Sequence, residues 1–323
     1  MNIQAVIITG PTASGKTAAA IELAHRVGGE IISCDSMQVY KGMNIGTAKP
    51  TPDEMEGIPH HLLDVAEVYD TFSVADYMQL AIPCIREIAA RGKLPIIAGG
   101  TGLYVTSLAE NIQYEEQTGD PELRERLNHL AQEQGPEALH QKLAELDPEA
   151  AAQIHPHNIK RVVRAAELSV LTGKTQAQRN AASRKKPSDI TYQVYAIDCD
   201  RRLLYEKINR RVDLMMQQGL LEETRALLRY CQAAYQKGLS SAPSFSKTAL
   251  QAIGYKELFP YLDGTVSLEA AIAQIKQNTR NYAKRQLTWF RRPAWVHWVT
   301  PEILSEMICG GKMMDKETVS SFV

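Results

Sequence analysis

One short segment near the start of the chain constrains the fold more than any other. Residues 10–17 read Gly-Pro-Thr-Ala-Ser-Gly-Lys-Thr and fit the pattern G-x-x-x-x-G-K-[ST]. They follow an apolar, β-branched run at 3–9, which predicts a buried strand, and they precede a helical pattern from about Lys16 to Val27. A strand, a glycine-rich loop and a helix in this order predict a phosphate-binding loop. A plain glycine-rich turn is the alternative.

Each part of this loop suits a chain of phosphates. Successive backbone N–H groups form a nest for anions, and the N-terminus of the following helix adds partial positive charge. Lys16 supplies a full positive charge, and the Thr17 hydroxyl can ligate Mg²⁺. The predicted phosphate-binding residues of the loop are Gly10, Pro11, Thr12, Ala13, Ser14, Gly15, Lys16 and Thr17.

The remaining pattern alternates strands with helices on both sides of a helical stretch. Short apolar runs predict further strands at 31–34, 94–98, 192–197 and 295–299. Helical patterns occupy about 73–91, where Ser73 is a predicted N-cap, 201–235 and 247–290. No convincing strand pattern occurs from 115 to 187, where Asp120, Gly135 and Asp147 each precede a proline at a predicted helix start.

We therefore predict an α/β protein with a P-loop NTPase-like core, in which helices flank a parallel sheet, plus an all-helical insertion domain. The core comprises residues 1–114 and 188–300, so it is discontinuous. The insertion comprises 115–187, and 301–323 form a C-terminal tail.

Composition and charge limit the class of protein. Hydrophobic residues make up 44% and charged residues 23%, as in globular proteins, and no apolar run is long enough to span a bilayer. The first residues do not resemble a signal peptide. Five cysteines without zinc-site spacing predict free thiols. We expect a cytoplasmic protein without a membrane partner, and a monomer by default.

Two basic stretches predict a polyanionic partner. Residues 158–186 hold eight basic residues and one acid, and 276–292 hold six basic residues and no acid. The first 114 residues are net acidic. Arg and Lys interleaved with Tyr282, Trp289 and Phe290 suit phosphate contact and base stacking. The alternative is an amphipathic helix with a core of aromatic side chains, and we expect Trp289 and Phe290 to be core residues.

Two polar residues are predicted to lie beside the phosphate loop. Asp35 follows the second predicted strand, and Thr101 follows the strand at 94–98. Because ligands of parallel sheets bind at the carboxyl ends of the strands, we expect both residues at the edge where the loop lies. A carboxylate there can hold Mg²⁺ or act as a general base. An Asp that only caps the next turn is the alternative.

Seven segments of the chain, among them the phosphate loop and the segments that contain Asp35 and Thr101, resemble the tRNA dimethylallyltransferase family of the bacterial type. The resemblance extends to about residue 300. The segments that carry it lie at 10–17, 35–40, 46–50, 59–62, 99–104, 251–257 and 278–291. It implies transfer of a dimethylallyl group from dimethylallyl diphosphate to N6 of adenosine 37, beside the anticodon of tRNA. The phosphate loop then holds the diphosphate, with Mg²⁺ bound to Thr17.

The resemblance also implies roles for single residues. Asp35 is the general base and Thr101 an active-site residue near the leaving oxygen. Arg211 is the clamp on the diphosphate, with Arg210 as the competing choice, and a solvated helix face is the alternative for both. The residues implied in tRNA binding are Asp35, Ser36, Met37, Gln38, Ile159, Lys160, Arg161, Val162, Val163, Arg280, Lys284 and Arg285.

Two other functions compete with this one. A small-molecule or nucleotide kinase on the same kind of core would consume ATP, but would leave the two basic stretches unexplained. A non-catalytic RNA-binding module would bind tRNA without turnover. The adjacent His60 and His61 suggest a metal site only weakly, because their side chains diverge and no third ligand occurs at a suitable spacing.

Overall fold

The computed structural model describes residues 2–114, 119–183, 188–242, 244–300 and 303–304. Most of the predicted tail at 301–323 lies outside this part of the chain. So do Arg184, Lys185 and Lys186 of the first basic stretch.

A six-stranded parallel sheet forms the centre of the larger part of the chain. The strands are β1 (Ile3–Thr9), β2 (Glu30–Ser33), β3 (His60–His61), β4 (Pro95–Ala98), β5 (Ile190–Ile197) and β6 (Val296–Val299). Their order across the sheet is β3-β2-β4-β1-β5-β6. Five of these strands were predicted, with ends that differ by at most two residues. The two-residue β3 was not, because so short a strand leaves no alternating pattern.

The helices also follow the predicted pattern in most places. They are α1 (Lys16–Val27), α2 (Val74–Ala90), α3 (Gly102–Ala109), α4 (Pro121–Gln134), α5 (Pro136–Leu146), α6 (Pro148–Gln153), α7 (Ile159–Thr172), α8 (Gln176–Ser183), α9 (Arg201–Gln217), α10 (Leu220–Gln236), α11 (Phe259–Leu262) and α12 (Leu268–Phe290). Gly219, at φ 102°, separates α9 from α10 within the predicted 201–235 segment. Ser73 caps α2 in a reciprocal bond with Asp76.

Apolar residues on the two faces of the sheet form two separate cores. Ala5 and Ile7 of β1 pack with α2, α3, α10 and α12, whereas Val6 and Ile8 pack with α1. This alternation follows from the two-residue period of a strand, and helices therefore cover both faces. The arrangement confirms the predicted α/β class with a parallel sheet flanked by helices.

The chain divides into two compact units, Met1–Ala109 with Asp189–Val323, and Glu110–Ser188. The described residues of the second unit form helices α4 to α8 and no strand. Asp120 and Asp147 cap α4 and α6 through their carboxylates, as predicted. The core of this unit is apolar, and its buried Glu167 pairs with Arg124 and Arg164.

Among the described residues, no helix is both long and apolar enough to span a membrane.

Candidate active site

The predicted phosphate loop lies between β1 and α1 and has the backbone of an anion nest. Gly10, Ala13 and Gly15 have positive φ values of 133°, 64° and 93°. Helix α1 begins at Lys16, and Gly15 supplies no side-chain cap to its first turn. Ser14 Oγ is buried without a hydrogen-bond partner among the described residues. The loop therefore presents the unpartnered Ser14 hydroxyl at the positive end of a helix.

Lys16 is held over this loop in its charged form. Its Nζ donates to the carbonyl oxygen of Pro11 at 2.7 Å. Burial and, to a smaller extent, the charge of Arg211 lower the pKa of Lys16 to about 8, while the charge of Asp35 opposes both effects. At neutral pH the ammonium is therefore protonated, but desolvated enough to gain from an anionic ligand.

Asp35 begins the turn that follows β2. Its Oδ1 accepts the N–H of Met37 at 2.8 Å. Burial raises the pKa of the Asp35 carboxyl, and this outweighs the opposing effects of the Met37 N–H and the charge of Lys16. A carboxylate whose pKa is raised is a better proton acceptor than an exposed aspartate, and perturbed groups in clefts are functional-site candidates.

Thr101 follows β4 and binds directly to the Asp35 turn. Its Oγ1 accepts the backbone N–H of Ser36 at 2.9 Å, and its own N–H donates to the carbonyl oxygen of Cys34 at 3.3 Å. A Cβ on Gly99 would lie 2.1 Å from that same carbonyl oxygen, so this close approach requires glycine. The ends of β1, β2 and β4 therefore converge as predicted.

Gln286 of α12 connects the phosphate loop to the turn that carries Thr101. Its Oε1 accepts the N–H of Thr12 at 2.8 Å, and its Nε2 donates to the carbonyl oxygen of Gly100 at 2.8 Å. The side chain is buried, and a Cβ on Gly100 would lie 2.2 Å from Nε2. Sequence reasoning did not select this residue, because a single Gln within a basic helix has no distinguishing pattern.

Two adjoining cavities open around these groups, within the larger unit. The first, of about 660 Å³, is lined by Lys16 and Thr17. The second, of about 340 Å³, is lined by Thr12 and Asp35, and its apolar wall includes Val212, Met215 and Ile275. Arg211 and Ala48 line both cavities. One site can thus hold an anion on one side and an apolar or planar group on the other.

Arg211, rather than Arg210, belongs to this site. Burial lowers the pKa of Arg211, while the charges of Glu54 and Asp35 oppose that effect. Arg210 is exposed on α9 and lines neither cavity. The two neighbours therefore lie on different sides of α9, and Arg211 is the one that lines the cavities.

The second basic stretch contributes to the second cavity through α12. Arg285 is exposed and lies over the ring of Tyr282 at 5.6 Å, and both line the cavity. Burial raises the pKa of Tyr282, and the neighbouring Thr101 side chain opposes this effect. Lys284 is exposed, whereas the guanidinium of Arg280 is bound to Asn209 at 2.6 Å and Gln277 at 2.7 Å.

Phe290 is buried, as predicted, but the prediction for Trp289 was wrong. Trp289 is 41% exposed, its Nε1 donates to Thr106 Oγ1 at 3.0 Å, and its ring lies against Gly102. The polar indole N–H needs a partner, and it finds one at the surface of α3.

Gln38 holds two segments of the site together. Its Nε2 donates to the carbonyl oxygens of Thr47 and Ala48, each at 3.2 Å, and its Oε1 accepts Ser33 Oγ at 2.9 Å. Both ends of the amide are thus engaged within the protein, and Gln38 lines neither cavity, so its role in tRNA binding stays a prediction. Ser36 and Met37 line the second cavity.

Only some side chains of the predicted tRNA-binding segment 159–163, in the smaller unit, are accessible to a partner. Val162 and Val163 are core residues of that unit, and Ile159 packs against the same core. Their side chains are turned away from any partner, since the apolar face of α7 faces inward. Lys160 and Arg161 are exposed.

His60 and His61 do not form a metal site. His60 Nδ1 bonds to the carbonyl oxygen of Ile58 at 2.8 Å, and His61 Nε2 bonds to Glu30 at 2.8 Å. In the described ranges, no group of three or more His, Cys, Asp or Glu residues could hold a metal ion. Cys34, Cys84, Cys199 and Cys231 are free thiols, as predicted.

The fold and this site define an α/β protein with a phosphate-binding loop. A family model described as IPP transferase matches residues 38–293. The chain belongs to the IPP transferase family.

Relatives across the chain agree with this assignment. The tRNA dimethylallyltransferase of Bacillus subtilis (strain 168) is 50% identical over 306 residues, which span 94% of this chain and 93% of the relative. That of Bacillus cytotoxicus is 50% identical over 295 residues, 91% of this chain and 89% of the relative.

Solved structures give the same result. The tRNA isopentenylpyrophosphate transferase of Bacillus halodurans has a TM-score of 0.67 at 42% identity, with 99% of each chain covered. A eukaryotic dimethylallyltransferase, captured acting on tRNA, has a TM-score of 0.75 at 29% identity, covering 94% of this chain and 75% of that one.

Proposed function

We propose that this protein transfers the dimethylallyl group of dimethylallyl diphosphate to N6 of adenosine 37 in tRNA. The observation that carries the proposal is the convergence of the phosphate loop, Asp35 and Arg211 on two adjoining cavities, with Thr101 bonded to Ser36 of the second cavity wall. In the reaction the N6–C1 bond forms, the C1–O bond breaks, diphosphate leaves, and one proton leaves N6.

Asp35 is the general base in this proposal. The exocyclic amine of adenine is a poor nucleophile because its lone pair is delocalised into the ring. Removal of its proton during the attack compensates, and Asp35, at the wall of the second cavity, is the carboxylate placed to accept it. Thr101 holds the Asp35 turn through Ser36, so it fixes the direction of the carboxylate.

The phosphate loop, Lys16 and Arg211 stabilise the leaving diphosphate. Negative charge grows on the bridging oxygen as the C1–O bond breaks, and preorganised donors and cations lower the energy of that charge. Lys16 and Arg211 supply two positive charges at the wall of the first cavity. The buried hydroxyl of Ser14 supplies a further donor.

Thr17 is the residue that would hold Mg²⁺. Thr17 lines the first cavity beside Lys16, and a Mg²⁺ site with few protein ligands is typical where substrate phosphates supply the rest. This fits the lack of a multi-carboxylate cluster in the described ranges. When bound, the ion neutralises charge on the diphosphate.

The RNA is bound by the exposed basic residues. Adenosine 37 must leave its stack to enter the second cavity, which requires contacts to the neighbouring nucleotides. Lys284 and Arg285 are exposed on α12, and Lys160 and Arg161 on α7. Arg280, whose guanidinium donates to Asn209 and Gln277, acts in this proposal by bracing α12 against α9. We retain the expectations of a monomer and of a cytoplasmic location.

The test is transfer of label from radioactive dimethylallyl diphosphate to an anticodon stem-loop, with Mg²⁺ and without ATP. We expect label on the RNA, and none on a stem-loop with guanosine at position 37. ATP hydrolysis or phosphate transfer without prenyl transfer would favour the kinase alternative. RNA binding without either reaction would favour the non-catalytic module.

Neighbouring arginines provide a matched pair for the diphosphate clamp. We expect Arg211→Gln to lower kcat/KM for dimethylallyl diphosphate by about 10²-fold, because one preorganised cation is lost from the leaving-group site. Arg210→Gln, on the exposed side of α9, is expected to stay within about twofold, as surface changes usually do. Steady-state kinetics on both variants check this, and equal losses would contradict the assignment.

The pH dependence of kcat/KM follows from the shifted groups. On the acid side, kcat/KM should begin to fall at a pH above the ordinary pKa range of an aspartate. The reason is that the pH must exceed the raised pKa of Asp35 for the base to be ionised. The value of kcat/KM should fall again above a pH of about 8, as Lys16 loses its proton. In the pH profile of kcat, the alkaline limb should shift to higher pH, because bound diphosphate favours the charged form of Lys16 and so raises its pKa.

Cys199→Ala is the control for the alkaline limb. The thiol lies near Lys16 and also loses a proton at alkaline pH, although burial raises its pKa above the ordinary value. The limb should remain in this variant. Its loss there, or a flat profile through pH 8 in the wild type, would contradict the role of Lys16.

A further inference from the structure

The carboxylate of Glu223 occupies a nest of three consecutive backbone N–H groups. Glu223 lies in the first turn of α10. Its Oε2 accepts Asn44 N at 3.2 Å and Ile45 N at 2.9 Å, and its Oε1 accepts Gly46 N at 3.2 Å. Such a run of N–H groups binds anions, and here the chain supplies its own anion.

Tyr255 contacts both the Glu223 carboxylate and the loop that Glu223 binds. Its hydroxyl donates to Glu223 Oε1 at 2.6 Å, and its ring is buried. A Cβ on Gly46 would lie 2.4 Å from a ring carbon, so the loop backbone lies directly against the ring. The loop is therefore fixed by hydrogen bonds on one side and by packing on the other.

The loop held in this way forms part of the cavity wall. Gly46, Thr47 and Ala48 line the second cavity. The carbonyl oxygens of Thr47 and Ala48 accept from Gln38, which lies in the same turn as Asp35. Hydrogen bonds thus run from Glu223 through the loop to the turn that carries the general base.

We propose that Glu223 is a positioning residue for the transfer, which sets the loop at 44–48 and, through Gln38, the Asp35 turn. This rests on the proposed function. The phosphate loop is held separately, by Gln286. Of residues 44–48 only Ala48 lines the first cavity, and its side chain carries no charge or donor. Loss of the Glu223 carboxylate should therefore slow the chemical step with little effect on diphosphate binding.

The test is Glu223→Gln, in which an amide NH₂ faces a nest built for two oxygens. We expect kcat for transfer to fall by about 10–100-fold, the range that a displacement of about 1 Å causes. The dissociation constant of inorganic diphosphate should stay within about twofold. Tyr255→Phe keeps the ring on Gly46 and removes one bond, so kcat should fall by only about fivefold.

Glu222→Gln is the matched control. Glu222 is the adjacent residue, exposed and paired with Arg225 on its own helix. It should retain wild-type kcat. As a second readout, Glu223→Gln and Gln38→Ala should be non-additive in kcat, because both act on the same loop.

Each of three outcomes would contradict either the positioning role of Glu223 or the proposed function. Wild-type kcat in Glu223→Gln would overturn the positioning role while leaving the transferase intact. A parallel decrease in kcat, diphosphate affinity and melting temperature of Glu223→Gln would show a merely structural role and would also overturn the positioning role. Absence of transfer in the wild type and in Glu222→Gln would instead overturn the proposed function.

Discussion

Asp35→Asn is expected to lower kcat for dimethylallyl transfer by about 10²–10⁴-fold, the contribution of general base catalysis. The amide retains an oxygen that accepts the Met37 N–H, so the turn after β2 should keep its geometry. Affinity for inorganic diphosphate should not weaken, because the change removes a negative charge and leaves Lys16 and Arg211 in place. Single-turnover rates with saturating RNA measure the effect directly.

Asp53→Asn is the control for this prediction. Asp53 is an exposed aspartate of the same unit and lines neither cavity. The same substitution there should leave the rate unchanged. A wild-type rate in Asp35→Asn would mean that the proton leaves by another route and would remove Asp35 from the mechanism.

Lys16→Met is expected to lower kcat/KM for dimethylallyl diphosphate by about 10²–10³-fold, as for the loss of one preorganised stabilising group. The effect should appear in kcat as well as in diphosphate affinity, because charge on the leaving oxygen is largest in the transition state. Stopped-time transfer assays and calorimetry with inorganic diphosphate separate the two.

Lys93→Met tests whether loss of any lysine near α1 has this effect. Lys93 is exposed and precedes β4 at the end remote from Thr101. It should behave as the wild type. If Lys16→Met kept kcat/KM within about threefold, the leaving group would not be stabilised at the phosphate loop.

The parts of the site that lie at strand ends were predictable from the sequence. A glycine-rich loop between a strand and a helix has one main physical use, and the carboxyl ends of parallel strands meet at one edge. Asp35 and Thr101 were placed correctly by that rule alone, and their contact through Ser36 is the observed result.

The contacts between distant segments were not predictable in this way. Gln286 meets Thr12 across 274 positions and Glu223 meets Ile45 across 178. Nothing local in either sequence marks the partner, since a polar residue in an amphipathic helix usually faces solvent. Val162 and Val163 show the opposite error. They were selected as part of a basic segment, but they lie on its inward, apolar face.

Mass analysis of nucleosides from the reacted stem-loop, together with the diphosphate released, tests the central claim most directly. The account predicts one adenosine per RNA, at position 37, that carries a dimethylallyl group on N6, with one diphosphate released per modification and no ATP consumed. An unmodified adenosine 37 despite bound RNA, or diphosphate released without a matching modified nucleoside, would contradict it.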